Sequence, residues 1–397
     1  MTVHETTELS YDPYDVTISA DPYPVFRRLR DEAPLYYNEQ YDFFAVSRAD
    51  EVERGLVERE FFSNTRSDVL EFIKAGMEFP PGIFIFEDPP LHTAHRGLVS
   101  RVFTPKKMAA IEPQVREFCA RTLDPLVGRP GFDFVRDLGA QMPMRVIGML
   151  LGIPEEHQEG IRDYVDSSIA TDPGQPISDL TTLAGDVYAD YIDWRAQHPA
   201  DDLMTELIHA EFEDETGTVR TLTREEILMY VNIIGGAGNE TTAKLIGWAG
   251  KVLADNPDQR RGLARDPSLI PNAIEELLRY EPPGPCVARY VVRDAEFLGG
   301  TVPAGNALLC LVGSANRDER RFPEPDRFDI HRTPGGLLTF GFGIHFCLGA
   351  ALARLEGRVA LEEVLVRFPE WTVDEDGAKL ASTSTVRGWE TLPVLVP

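Results

Sequence analysis

One run of residues constrains this chain more than any other. From Thr223 to Leu253 apolar residues recur at helical spacing, and Asp255-Asn256-Pro257 ends the run. Thr223 and Glu226 form a capping-box pattern at its start. At ~1.5 Å per residue this helix is roughly 45 Å long, enough to cross a molecule of this size. Its middle reads G-G-A-G-N-E-T-T, residues 235 to 242. Glycine inside a helix costs about 1 kcal/mol against alanine. A helix accepts three of them only where something must come close or a turn must open. Polar Glu240, Thr241 and Thr242 follow at the same place.

A second stretch, Phe340 to Gly349, reads F-G-F-G-I-H-F-C-L-G. Gly341, Gly343 and Gly349 permit a tight turn and close backbone approach. Cys347 stands just before a helix that is predicted to begin near Leu348. The unpaired N–H groups and partial positive charge of a helix N-terminus favour thiolate over thiol. With no second Cys or His in CxxC-type spacing, the loop is a poor zinc site. It suits the axial position of haem iron, where thiolate favours O–O cleavage. Two other readings stay open from the residues alone. A lone cysteine is often a small buried hydrophobe. The Gly341-x-Gly343 pair suggests a dinucleotide loop, although no third glycine follows at the spacing that loop needs.

Taken whole, F-G-x-G-x-H-x-C-x-G resembles the haem-binding signature of the cytochrome P450 family, the haem-thiolate monooxygenases. Further motifs follow the family's order between about residues 20 and 392. His92 and Arg96 match its H-x-x-x-R. Four apart on one helical face, they can hold a carboxylate by charge-assisted hydrogen bonds, whereas seen alone they read as a solvated face. His95 falls off that face and is set aside. Ala237, Gly238, Asn239, Glu240 and Thr241 match small-Gly-x-acid-Thr. Glu276 and Arg279 match E-x-x-R, with Arg327 from P-D-R-F (325 to 328) as the implied third member of a buried ionic cluster.

The resemblance implies a mainly α fold with a small β-rich lobe near the N-terminus, in one domain over residues 1–397. It implies haem b as cofactor, ligated by Cys347. His92, Arg96, Arg289 and His345 would hold the propionates, with Ala237, Gly238, Phe340, Gly341 and Gly349 against the haem. Glu240 and Thr241 would manage proton delivery during O–O scission. Asn239 and Gly235-Gly236 depart from the commonest choices on the central helix. The region from Val69 to Phe86 reads as a long apolar loop and would roof the substrate pocket, with Phe84, Ile85, Ile233, Ile234, Val287 and Val386 lining it. Residues 167–183 fall where the family has lid helices, and 382–386 at its last pocket-lining turn. The substrate is then a hydrophobic small molecule such as a terpenoid, fatty acyl chain or steroid.

Composition fits this reading. The chain has 397 residues, 39 Lys plus Arg against 65 Asp plus Glu, and a formal net charge of −26. That disfavours nucleic acid and anionic lipid as partners. The first ten residues carry no basic and apolar leader, and no stretch approaches the ~18 apolar residues that span a bilayer. A cytoplasmic monomer without membrane anchor is expected. Cys119, Cys286, Cys310 and Cys347 suggest no disulfide framework. With no flavin motif, NAD motif or Fe–S cysteine cluster, electrons would come ultimately from NAD(P)H through a ferredoxin and ferredoxin reductase. Arg101, Lys106, Lys107, Arg354 and Arg358 are candidates for a basic docking patch. Two alternatives are a haem-bearing binder or sensor without turnover and a metal-free helical scaffold with a structural Cys347. The Glu240-Thr241 pair argues against the sensor.

Overall fold

The computed structural model describes residues 9–79, 82–161, 174–177, 186–214, 216–333, 335–381 and 385–397. Of the expected lid helices only 174–177 are described, and of the turn at 382–386 only Thr385 and Val386; Pro80 and Pro81 also lie outside the described residues. Seven helices frame the site: α1 Tyr23–Glu32, α2 Leu91–Ser100, α3 Glu112–Leu123, α4 Met142–Leu151, α5 Arg224–Asp255, α6 Ile270–Tyr280 and α7 Ala350–Arg367. The mainly α architecture agrees with the sequence reading. No helix among the described residues is long and apolar enough to cross a membrane.

Helix α5 starts where the sequence places it. Thr223 accepts from the Glu226 N–H, and the Glu226 carboxylate accepts from the Thr223 N–H at 2.7 Å. Every residue from Thr242 to Gly250 is buried, so the helix runs through the molecule with neighbours on all sides. Its glycines let those neighbours approach. A Cβ on Gly250 would stand 2.6 Å from the Phe134 ring, and one on Gly247 3.0 Å from Val135. Phe134–Gly139 is a π-helical segment that the sequence did not announce. A Cβ on Gly357 of α7 would stand 3.0 Å from Leu245 and 3.3 Å from Ile274, which sets α7 close against α5 and α6.

The β lobe is a five-stranded sheet. Its strands are β1 Leu35–Asn38, β2 Phe43–Val46, β3 Phe62–Ser63, β4 Val287–Val291 and β5 Ala307–Cys310, in the spatial order β1-β2-β5-β4-β3. The lobe is therefore not N-terminal alone, since two of its strands come from beyond residue 286. β2 pairs antiparallel with β1 and parallel with β5, Phe44 opposite Leu308. All four residues of β5 are buried. Leu308 and Cys310 enter one apolar cluster with Val52 and Phe297, and Ala307 and Leu309 enter another with Phe26 and Leu29. That alternation, with both faces covered, explains why β5 reads as a continuous apolar run. The apolar region 69–86 is not wholly irregular. It holds a short helix, Leu70–Lys74, and a 3-10 turn, Phe84–Phe86.

Candidate active site

Both turn glycines of the cysteine loop sit in the left-handed region, Gly341 at φ 69° and Gly343 at φ 72°, where a Cβ is strained. The Cys347 N–H donates to the Phe340 carbonyl at 2.7 Å. Helix α7 begins at Ala350, two residues later than expected. Gly349 caps it at φ −82°, and a Cβ there would meet nothing. Its contribution is its N–H, which donates to the Cys347 sulfur. Burial pushes the thiol up from its ordinary value, while the Gly349 N–H, Arg96 and Arg354 pull it down. Cys347 has accessible surface, but that surface opens into a cavity of about 760 Å³ shared with Arg96, Phe103, Met108, Leu355 and Arg358. It faces a concavity, so bulk water solvates the sulfur poorly.

His92, Arg96, Arg289 and His345 converge beside this loop. The His92 and His345 ring centroids lie 4.4 Å apart. Among the described residues, both His92 ring nitrogens and His345 Nε2 are buried without a hydrogen-bond partner. His345 is bonded to the Glu87 backbone, and Arg96 donates to the Phe346 carbonyl. Arg289, buried on β4, donates to the Ala288 carbonyl at 2.8 Å. Burial, then Arg289, His92 and Arg96, push His345 down to about 3. Burial and Arg96 lower His92 as well. Two neutral imidazoles thus share a positive field with two guanidinium groups, which suits carboxylates supplied by a ligand. Buried nitrogens orphaned among the described residues, with Arg96 acting on both His345 and the Cys347 thiol, fit a haem with its propionates.

On α5, Ala237 is exposed although it lies mid-helix, and Thr241, one turn on, donates from Oγ1 to the Ala237 carbonyl at 2.8 Å. Glu240 lies 3.8 Å from the Lys244 ammonium. Gly238 does not share this face. A Cβ on it would stand 2.7 Å from Ile147 of α4, so its smallness serves helix packing rather than cofactor approach. Gly235 likewise faces the Tyr188 hydroxyl. Phe84, Ile85, Ile233 and Ile234 come together against α5. Val287 instead lines a small cleft with Tyr14, Asp68 and Val69. Val386 lines another with Tyr11, Phe26 and Arg387, so the structure does not join these two to the other four.

Behind the loop, Glu276 and Arg279 are fully buried and joined by two bonds of 2.8 Å. The third member is Arg332, not Arg327. Arg332 Nε donates to Glu276 Oε1 at 3.1 Å. The Arg327 side chain lies outside, 3.4 Å from Glu324, and only its carbonyl turns inward. Arg279 also donates to the Asn316 carbonyl, Asn316 Nδ2 donates to Thr339 Oγ1, and its Oδ1 accepts from the Leu338 N–H. The ionic cluster thereby fixes the residues next to Phe340. His95, set aside in the sequence, is buried and bonded to Glu87.

Comparison with known proteins agrees with this geometry. Residues 268–392 match the family described as Cytochrome P450. The chain is 39% identical over 396 residues to the Mycobacterium tuberculosis protein described as cytochrome P450 123, covering 98% of this chain and 97% of that one. It is 34% identical over 403 residues to the vitamin D(3) 25-hydroxylase of Pseudonocardia autotrophica, covering 99% and 98%. The solved structure of CYP109Q5 from Chondromyces apiculatus superposes with a TM-score of 0.86 at 33% identity, over 98% of each chain. The chain belongs to the cytochrome P450 family. It is a bacterial-type P450 monooxygenase, and its family's cofactor is haem iron.

Proposed function

We propose that this enzyme hydroxylates a hydrophobic small molecule of terpenoid, fatty acyl or steroid-like type, at a haem held by Cys347. His92, Arg96, Arg289 and His345 hold the propionates. Bound there, haem supplies the activation of O2 that puts one oxygen atom into the substrate and releases the other as water. The chain's own residues do the rest. Burial favours the free Cys347 as a thiol; the Gly349 N–H, Arg96 and Arg354 oppose that and would stabilise Sγ as a thiolate once it ligates iron. Ala237 and Thr241 present a small, hydroxyl-bearing surface on α5. The Thr241 hydroxyl, anchored on the Ala237 carbonyl, passes protons that the Glu240 carboxylate collects. Phe84, Ile85, Ile233 and Ile234 exclude water. The apolar roof and the vitamin D3 named for one relative support the steroid-like end of the range.

Electrons come from NAD(P)H through a ferredoxin reductase and a ferredoxin, which meets the protein on the cysteine face. The setting is cytoplasmic, and the working unit is a monomer of one domain. The observation that carries the reading is that both His92 nitrogens and His345 Nε2, beside a thiol that a helix N–H already addresses, are buried without a partner among the described residues. The test is the absorption spectrum of the reduced protein with carbon monoxide. A strongly red-shifted Soret band is expected, and Cys347→Ser should abolish the shift. A haem spectrum without the shift in the unmodified protein would remove Cys347 as ligand.

A further inference from the structure

We infer that His95 and Glu87 are positioning residues, a clamp that holds the roof of the substrate pocket shut against α2 and α5. The inference rests on the P450 reading of that pocket. The roof segment Gly82–Glu87 carries Phe84 and Ile85. Its two ends meet on one carboxylate. The Gly82 N–H donates to Glu87 Oε1 at 2.7 Å. His95 Nδ1 approaches both Glu87 oxygens, at 2.8 and 2.9 Å. A carboxylate oxygen accepts, so Nδ1 is the donor of this bond. Among the described residues Nε2 has no partner.

The clamp grips more than the loop. The His95 ring meets Tyr230 of α5 edge-on at 6.4 Å, and Tyr230 meets Phe84 of the roof at 5.4 Å. Tyr230 lies two turns before Ala237, on the same stripe of α5 as Ile233 and Ile234. Glu87 also binds His345 through its backbone. Gly82 sits at φ 107°, and a Cβ there would stand 3.3 Å from Met229 of α5, so the roof touches the helix directly. His95 and Glu87 are both buried. No water competes for the bond, and its loss leaves a buried carboxylate with one donor fewer. Neither side chain touches the thiol or the Ala237–Thr241 surface, and Glu87 meets the propionate-binding set only through its backbone bond to His345, so side-chain substitutions at His95 and Glu87 act on pocket shape.

The test compares two probes on the haem-loaded full chain. Imidazole needs only reachable iron, whereas 4-phenylimidazole also needs the apolar roof. In His95→Leu, 4-phenylimidazole should bind about tenfold more weakly, the size expected for one buried charge-assisted bond, while imidazole binds as before. His95→Asn, whose Nδ2 stands where Nδ1 stood, should restore it. Hydrogen exchange is read in parallel on the peptide spanning Gly82 to Glu87 and should quicken in His95→Leu. Unchanged 4-phenylimidazole binding, or equal weakening of both probes, overturns the clamp. If no haem is retained by any form, the P450 site reading fails instead, and exchange at the peptide alone decides: unchanged protection overturns the clamp, and faster exchange upholds it. If His95→Leu does not fold, Glu87→Gln takes its place with the same readouts.

Discussion

Arg327 and Arg332 lie five residues apart and have opposite fates. Arg332 completes a buried ionic cluster on Glu276, whereas Arg327 is 61% exposed. Removing one partner of a buried pair costs about 3–5 kcal/mol, while an exposed pair contributes roughly 0–1 kcal/mol. Arg332→Ala should therefore lower the urea midpoint sharply and shed haem, and Arg327→Ala should do neither. Equal effects would return the role to Arg327. Glu356 is a second residue-scale case. It is fully buried on α7, and among the described residues neither carboxylate oxygen has a partner. Burial raises its pKa well above the ordinary value. The folded state thus keeps a proton that the unfolded chain releases near pH 4.5. Stability from this group is full below that pH and falls as pH rises toward the folded pKa. Glu356→Gln should be more stable than the parent at pH 8 by on the order of 1–3 kcal/mol, with the gap closing below pH 4.5. A gap that does not change with pH would show that Glu356 is already charged in the fold.

Helix α5 shows how much of an element can be read in advance. Its cap, length and end follow from Thr223, Glu226, the apolar period and Asn256-Pro257. The glycines were legible as close approach, but not what approaches. Gly235 and Gly238 turn to Tyr188 and Ile147, which lie 47 and 91 residues earlier in the chain, and a helical pattern contains no such information. His95 escaped for the same reason. Its partner Glu87 lies across the Pro89-Pro90 turn, where i, i+4 reasoning on one helix does not reach. The Cys347 loop was legible because its geometry is local, with two left-handed glycines and a following helix. A consequence for α5 is measurable. Gly235→Ala should cost about 1–3 kcal/mol by overpacking against the buried Tyr188. Its cost and that of Tyr188→Leu should fall short of additivity by more than about 0.5 kcal/mol. Strict additivity in denaturation would mean that the two do not meet.

For the whole molecule, charge is the organising quantity. At −26 the protein would repel an acidic partner such as the proposed ferredoxin at long range, so that docking would depend on local cations. Of the five basic candidates, Lys107 is paired with Glu206, Arg354 with Glu275, and Arg358 with Glu112 and Glu362. Arg101 and Lys106 are exposed without such pairing among the described residues. Reversing Arg101 and Lys106 together should slow reduction by ferredoxin about tenfold at low ionic strength, and Lys107→Glu should slow it less. The difference should vanish near 1 M salt, where the Debye length is about 3 Å. Unchanged rates in stopped-flow would place the docking surface elsewhere. The β lobe carries a different consequence, one of timing. Strand β2 is completed by β5, with Phe44 opposite Leu308, so a strand made early waits for one made late. At ~5–20 residues per second of synthesis, that wait is roughly 15–50 s. Throughout it the hairpin Leu35–Val46 lacks the strand that covers its β2 edge, and a nascent chain stopped short of residue 307 should be prone to pair that apolar edge with other chains.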